Sequence, residues 1–134
     1  MKSLSMLSLI CAVAALAFCL TSSKAEAANF AGKWAINGYL GDPPFADIKP
    51  ICTLKQEGAE LHGTCKGPNA FGTATGAVNG RKILLTWKHA ATTDEGYDGI
   101  ATFKGTLDEE GIIRGTWTDS QFPDAGGPWT GQRV

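Results

Sequence analysis

Ile51-Cys52-Thr53-Leu54-Lys55-Gln56-Glu57-Gly58-Ala59-Glu60-Leu61-His62-Gly63-Thr64-Cys65-Lys66 has the alternation and the central turn of a β-hairpin. With Gly58-Ala59 as a two-residue loop, Glu57 faces Glu60, Gln56 faces Leu61, Leu54 faces Gly63 and Cys52 falls opposite Cys65. Counting outward from the closing pair puts the two cysteines at a non-hydrogen-bonded position, where a Cα separation of about 4.5 Å is within disulfide reach. Cys52, Leu54, Leu61 and Cys65 share the face expected to be buried. Thr53, Lys55, His62, Thr64 and Lys66 share the other.

The N-terminus supplies the compartment such a staple needs. Met1-Lys2, a mostly apolar run from Leu4 to Leu20 and the small-residue site Ala25-Glu26-Ala27 have the form of a secretory signal peptide over residues 1–27, cleaved before Ala28. The run is short for a membrane span and is interrupted by Ser5 and Ser8. Neither Cys11, after Ile10, nor Cys19, after Phe18, sits in a lipidation context. Cleavage removes both and leaves Cys52 and Cys65 to pair in an oxidising, periplasmic or extracellular setting. A bridge across so short a loop contributes about 3 kcal/mol at most. The whole chain has a formal net charge of −1, and loss of Lys2, Lys24 and Glu26 with the leader makes it −2. No basic surface for nucleic acid is expected. Residues 28–134 suit a single domain.

The mature chain continues as alternating strands. Phe30 to Asn37 places Phe30, Gly32, Trp34 and Ile36 on one face, and Gly38 to Lys49 forms a long loop stiffened by Asp42-Pro43-Pro44. Beyond the stapled hairpin, a strand ending at Val78 turns at Asn79-Gly80 and returns as Ile83 to His89. Gly72, Ala74 and Gly76 then lie across from Ile83, Leu85 and Trp87, small against bulky, as a curved sheet requires. Ala90 to Gly96 is a second long loop. Tyr97 to Leu107 and Ile113 to Trp117 form a third hairpin around Glu109-Glu110-Gly111, with Gly111 supplying a positive φ. Asp119 to Gly127 is predicted as a third long loop and Trp129 to Val134 as the last strand. An aliphatic-x-x-Thr-(Cys or Trp) string recurs at Leu61, Ile83 and Ile113, in the second strand of each hairpin; turn plus alternation can also produce it in any β protein.

These elements predict an all-β, eight-stranded antiparallel up-and-down meander barrel, with a β-sandwich as the alternative. Tight connections fall at one end and long ones at the other, so binding is expected at the loop-bearing rim. Lys33, Lys55, Lys88, Lys104 and Arg114 on the outward faces argue against a membrane barrel.

At Gly32-Lys33-Trp34 the chain resembles the calycin superfamily of lipocalins, avidins and bacterial metalloproteinase inhibitors, whose first strand carries Gly-x-Trp. In those families an Arg from the last strand packs over the Trp, which gives Gly32, Trp34 and Arg133 structural roles here. Gly63-Thr64-Cys65, Trp87-Lys88 and Trp117 are similar to avidin strings. However, Cys65 stands where avidins have a biotin-contacting Tyr, and Ala35 and Ile36 replace polar residues, so biotin binding is not carried over. The leader, size and single disulfide resemble the periplasmic metalloproteinase inhibitors, whose inhibitory N-terminal arm has no counterpart beyond Ala28 and Asn29.

Catalytic chemistry finds few parts. Ser120 is the only serine after the leader, both cysteines are expected to be oxidised, and His62 and His89 stand apart on strands. No metal site and no cofactor are expected. His62 is expected in solvent. His89 is predicted inward near the open end, facing a ligand or, more simply for a strand end, water. Asp42, Asp47, Asp94, Glu95, Asp119 and Asp124, with Asp98 close by, form either an acidic mouth or ordinary turn residues. No Asp-x-Asp-x-Asp loop appears, so the turn role is taken. Trp34, Trp87, Trp117 and Trp129 are all expected to face inward, as an aromatic cup or a filled core.

The sequence thus leads to a non-catalytic extracytoplasmic binding protein for a small apolar or aromatic ligand. Trp87, His89, Phe103, Trp117 and Tyr97 are the ligand-binding candidates, and Asp42, Phe45, Asp94 and Phe122 the rim candidates. The alternative is a proteinase-inhibitor-like or other protein-interaction module using the same loops. A hydrolase resting on His89 or Asp94 is the remote third.

Overall fold

The structure, a computed structural model, describes residues 25–40 and 48–134. Residues 1–24, which hold most of the predicted leader together with Cys11 and Cys19, lie outside the described residues, as do Asp42, Phe45 and Asp47. Eight strands follow one another: β1 Gly32–Gly38, β2 Ile51–Glu57, β3 Glu60–Lys66, β4 Ala70–Asn79, β5 Lys82–Ala91, β6 Gly99–Leu107, β7 Ile113–Asp119 and β8 Phe122–Arg133. Each pairs antiparallel with the next, and β8 pairs with both β7 and β1, closing an up-and-down barrel. The barrel, not the sandwich, is the fold.

The β2–β3 register is the expected one throughout, from Glu57 opposite Glu60 to Cys52 opposite Cys65. Those cysteines form a disulfide with a Cα separation of 4.0 Å. Parity sorts the side chains as anticipated. Trp34, Leu54, Leu61, Leu85, Trp87, Phe103, Trp117 and Trp129 are buried, while Lys33, Lys55, Lys88, Lys104 and Arg114 are exposed. Small residues make room for large ones across the wall, with Gly76 opposite Leu85 and Ala74 opposite Trp87. The interior is therefore a filled core.

The tight connections, 58–59, 80–81 and 108–112, lie at one end. Gly111 there has φ 84°, in the left-handed region that the hairpin loop requires. The segment before β1 plugs this end: Phe30 is fully buried, its N–H bonds Gln56 Oε1 at 2.7 Å, and Ala28 N–H bonds the Gly80 carbonyl at 2.8 Å. Arg133 seals it from β8. Its guanidinium lies 4.3 Å from the Trp34 ring centroid and donates to the carbonyls of Ala31 (2.7 Å) and Asn29 (2.6 Å). Gly32 leaves space for it, since a Cβ there would come within 3.1 Å of Arg133 Nη1.

The other end carries the connections at 39–50, 67–69, 92–98 and 120–121. The predicted third long loop, Asp119 to Gly127, is not one. β7 ends at Asp119 and β8 begins at Phe122, so only Ser120 and Gln121 intervene. A register shift between Phe122 and Gly126 then breaks the alternation. Such a bulge hides the strand from a periodicity reading, and Pro123, Gly126, Gly127 and Pro128 reinforce the appearance of a loop.

Candidate ligand-binding mouth

β5 sends Trp87 and His89 inward, one pleat apart, and His89 is the last inward residue before the open end. The strand returns through the 92–98 loop, which is tied on two sides. Thr92 N–H bonds the Asn69 carbonyl at 2.9 Å, and the Thr93 hydroxyl bonds Asn69 Oδ1 at 2.8 Å, joining the loop to the β3–β4 turn. Asp98 accepts from Ala91 N–H at 2.9 Å through its side chain and from Gln121 Nε2 at 2.8 Å through its carbonyl. The loop thus holds Tyr97 over His89.

His89 points inward as expected but does not face water, the simpler of the two sequence expectations. Its Nε2 lies 2.7 Å from Asp119 Oδ2, and the two side chains are only 2% and 1% exposed. Its Nδ1 lies 3.0 Å from the Tyr97 carbonyl. A carbonyl only accepts, so Nδ1 is the donor in that bond. The second oxygen of Asp119 accepts from Gln121 N–H at 2.9 Å. Strand β6 lies between the two residues and contributes Gly99 at that level, opposite His89. A Cβ on Gly99 would stand 2.8 Å from Asp119 Oδ1 and 3.1 Å from His89 Cε1. The missing side chain is what lets the pair meet over the strand between them.

Aromatic rings continue outward from this pair. Trp87 and His89 centroids are 4.8 Å apart, His89 and Tyr97 meet edge to face at 5.2 Å, and Tyr97 and Phe122 do so at 5.4 Å. Burial raises the Tyr97 phenol above its ordinary value of 10.0, and the Asp119 carboxylate adds to the rise by opposing a second negative charge.

A cavity of about 270 Å³ opens beside these rings, between Ile48-Lys49, the Gly67–Ala70 turn, Trp87, His89 and Glu95–Tyr97. One residue among them carries an unsatisfied group. Trp87 Nε1 is buried and has no hydrogen-bond partner, the sole such side-chain nitrogen or oxygen among the described residues. The other three tryptophans donate to carbonyls, Trp34 to Phe30 at 2.9 Å, Trp117 to Tyr39 at 3.1 Å and Trp129 to Lys104 at 2.9 Å.

Of the sequence-derived candidates, Trp87, His89 and Tyr97 come together here, and Phe122 flanks Tyr97 from outside. Phe103 and Trp117 lie deeper, stacked at 6.1 Å, with Phe103 also edge-on to Trp129 at 5.2 Å; neither lines the cavity. Asp94 is exposed on the loop and Asp124 on β8. Ile48, Asn69 and Ala70 were not singled out from the sequence, because turn residues around a mouth carry no periodic signal. Asp119 falls in the third predicted loop, whereas continuing the inward series Ile113, Gly115, Trp117 by one step places it on the strand, facing inward. Among the described residues no group of three His, Cys, Asp or Glu is arranged to hold a metal ion. A wider concavity of about 650 Å³ runs along the outer wall near the tight-turn end, beside Lys82, Leu84, Lys104 and Arg114. It contains no buried polar group lacking a partner.

Fold and site together define a closed eight-stranded barrel with one plugged end, a filled interior and an aromatic-walled mouth. Comparison of the chain with protein-family models, curated proteins and solved structures finds no match.

Proposed function

We propose that this is a calycin-like, extracytoplasmic binding protein that takes a small aromatic ligand at the mouth formed by Trp87, His89 and Tyr97. The observation that carries the reading is the cavity of about 270 Å³ at the loop-bearing end, with Trp87, His89 and Tyr97 among its lining residues. Small-molecule sites are concave, lined mainly by apolar and aromatic side chains, and carry few polar groups. The Gly32, Trp34 and Arg133 arrangement supports the calycin-like assignment, and the disulfide accords with an oxidising compartment. Binding is favoured over catalysis because both nitrogens of His89 are engaged within the protein and the Ser120 oxygen accepts from Ile100 N–H at 2.9 Å. The test is intrinsic tryptophan fluorescence across a panel of small aromatic compounds. Saturable quenching by at least one class, lost in Trp87→Phe, supports the proposal; an unchanged spectrum across the panel counts against it.

A second reading has its own observation. Phe71, Tyr97, Ile100 and Phe122, all at or near the open end, are between 37% and 47% exposed. Such a collar suits a protein partner. Pull-down from the same compartment, with Phe122→Ser as comparison, separates this role from small-ligand binding: capture abolished by that substitution supports it, and equal or absent capture removes it.

A further inference from the structure

We infer that folding withdraws this chain's own processing site: the Ala27–Ala28 peptide bond, where the leader would be cut, is open to a signal peptidase only while the closed end is unformed. The site is independent of the mouth and presupposes that residues 1–27 are a leader. The cut is a hydrolysis in which water adds across the bond, Ala27 leaving as a carboxylate and Ala28 remaining as an α-ammonium. The peptidase reads the small side chains of Ala25 and Ala27 and needs the chain free on both sides of the bond.

In the folded barrel these groups are already engaged. The nitrogen of the bond to be cut, Ala28 N–H, donates to the Gly80 carbonyl at 2.8 Å. The Ala28 carbonyl accepts from Gln56 Nε2 at 2.8 Å, and Phe30 N–H donates to Gln56 Oε1 at 2.7 Å. One side-chain amide thus makes both bonds that a neighbouring strand would make, which gives a physical reason for a polar residue at the inward position opposite Leu61. Phe30 is fully buried, and the Trp34 indole donates to its carbonyl at 2.9 Å. On the leader side, Ala27 packs half-buried against the core, and Ala25 lies over Gly80, where a Cβ would come within 2.9 Å of it. Freeing the bond therefore breaks the ties to Gly80 and Gln56 and loosens Phe30, a local opening that cleavage has to wait for. After the cut the same nitrogen, now an ammonium, remains a donor to Gly80, so the new terminus closes the barrel where the leader was joined.

The test compares cleavage by signal peptidase in detergent micelles, followed by mass spectrometry, for the folded precursor of residues 1–134 and a peptide of residues 1–31, which carries the same bond without the barrel. The peptide should be cut about a hundredfold faster. Gln56→Ala in the precursor should recover about tenfold of that difference while the far-ultraviolet spectrum stays that of the folded barrel. A precursor cut as fast as the peptide would overturn the inference and leave the leader reading standing. Failure of both to be cut before Ala28 would overturn the two together. A precursor equally slow with and without Gln56→Ala would also overturn it, since the protection would then come from elsewhere. Should Gln56→Ala fail to fold, amide hydrogen exchange in the unsubstituted precursor decides: Ala28 and Phe30 should exchange about a hundredfold more slowly than in the peptide, and exchange at the peptide's rate would overturn the inference.

Discussion

His89 and Asp119 illustrate how a single buried pair can position a site without entering it. Each satisfies the other and a backbone group, and the His89 Nδ1 bond to the Tyr97 carbonyl keeps the loop over the cavity. Removing one partner strands a buried polar group, so His89→Ala or Asp119→Ala should each cost about 3–5 kcal/mol. The double variant should cost clearly less than the sum, as urea denaturation of all four proteins would show. Tryptophan substitutions should separate in a similar way. Replacing Trp34, Trp117 or Trp129 by Phe deletes a hydrogen bond and orphans a carbonyl, whereas Trp87→Phe deletes a donor that has no partner. Trp87→Phe should therefore be the mildest of the four by about 1 kcal/mol. The raised phenol of Tyr97 adds a pH signature. Its folded-state midpoint lies above the unfolded value of about 10, so its contribution is intact below pH 10 and declines as alkalinity ionises the unfolded chain first. Absorbance titration at alkaline pH, against Tyr97→Phe, should assign it a midpoint above 10.0.

Among the hairpins, β6–β7 is organised by one side chain. Asp108 Oδ1 accepts from Ile112 N–H and Glu110 N–H, both at 2.9 Å, and Oδ2 accepts from Arg114 Nε at 3.1 Å. The Ile112 bond is the main cause that holds this carboxyl below its ordinary value of 3.8, with Arg114 and Glu110 adding to it. A depressed folded-state midpoint means the stabilisation is present above about pH 4 and is lost as acid passes through that lower midpoint. Asp108→Asn should accordingly lower stability at neutral pH and converge with the unsubstituted protein as acid passes below about pH 4, which flattens the acid limb of a stability-against-pH curve. Hairpins of this kind were legible in the sequence because turn chemistry and alternation agree: Gly58-Ala59, Asn79-Gly80 and Gly111 mark turns, and apolar parity runs unbroken on either side. The β7–β8 hairpin was not legible, since the shift between Phe122 and Gly126 breaks the parity that identifies a strand. The His89–Asp119 pair was hidden for a related reason. It forms across an intervening strand, over a glycine, and no spacing within one strand or one hairpin reports it.

At the scale of the molecule, closure comes from the pairing of β8 with β1 and from Arg133 over Trp34, and the disulfide reinforces a hairpin that the register already specifies. The Cys52→Ala, Cys65→Ala double variant should therefore fold, with a loss of about 3 kcal/mol at most. A filled core and a plugged end leave the cavity at the loop-bearing mouth as the place where the barrel can take a small molecule, and the account depends on that cavity being the one used. The most direct test is a crystal structure grown with a small aromatic probe, quinoline. It should place the rings in that cavity beside Tyr97, between the 67–70 turn and residues 95–97. Quinoline seated instead on the outer wall beside Leu84 and Lys104 would contradict the account.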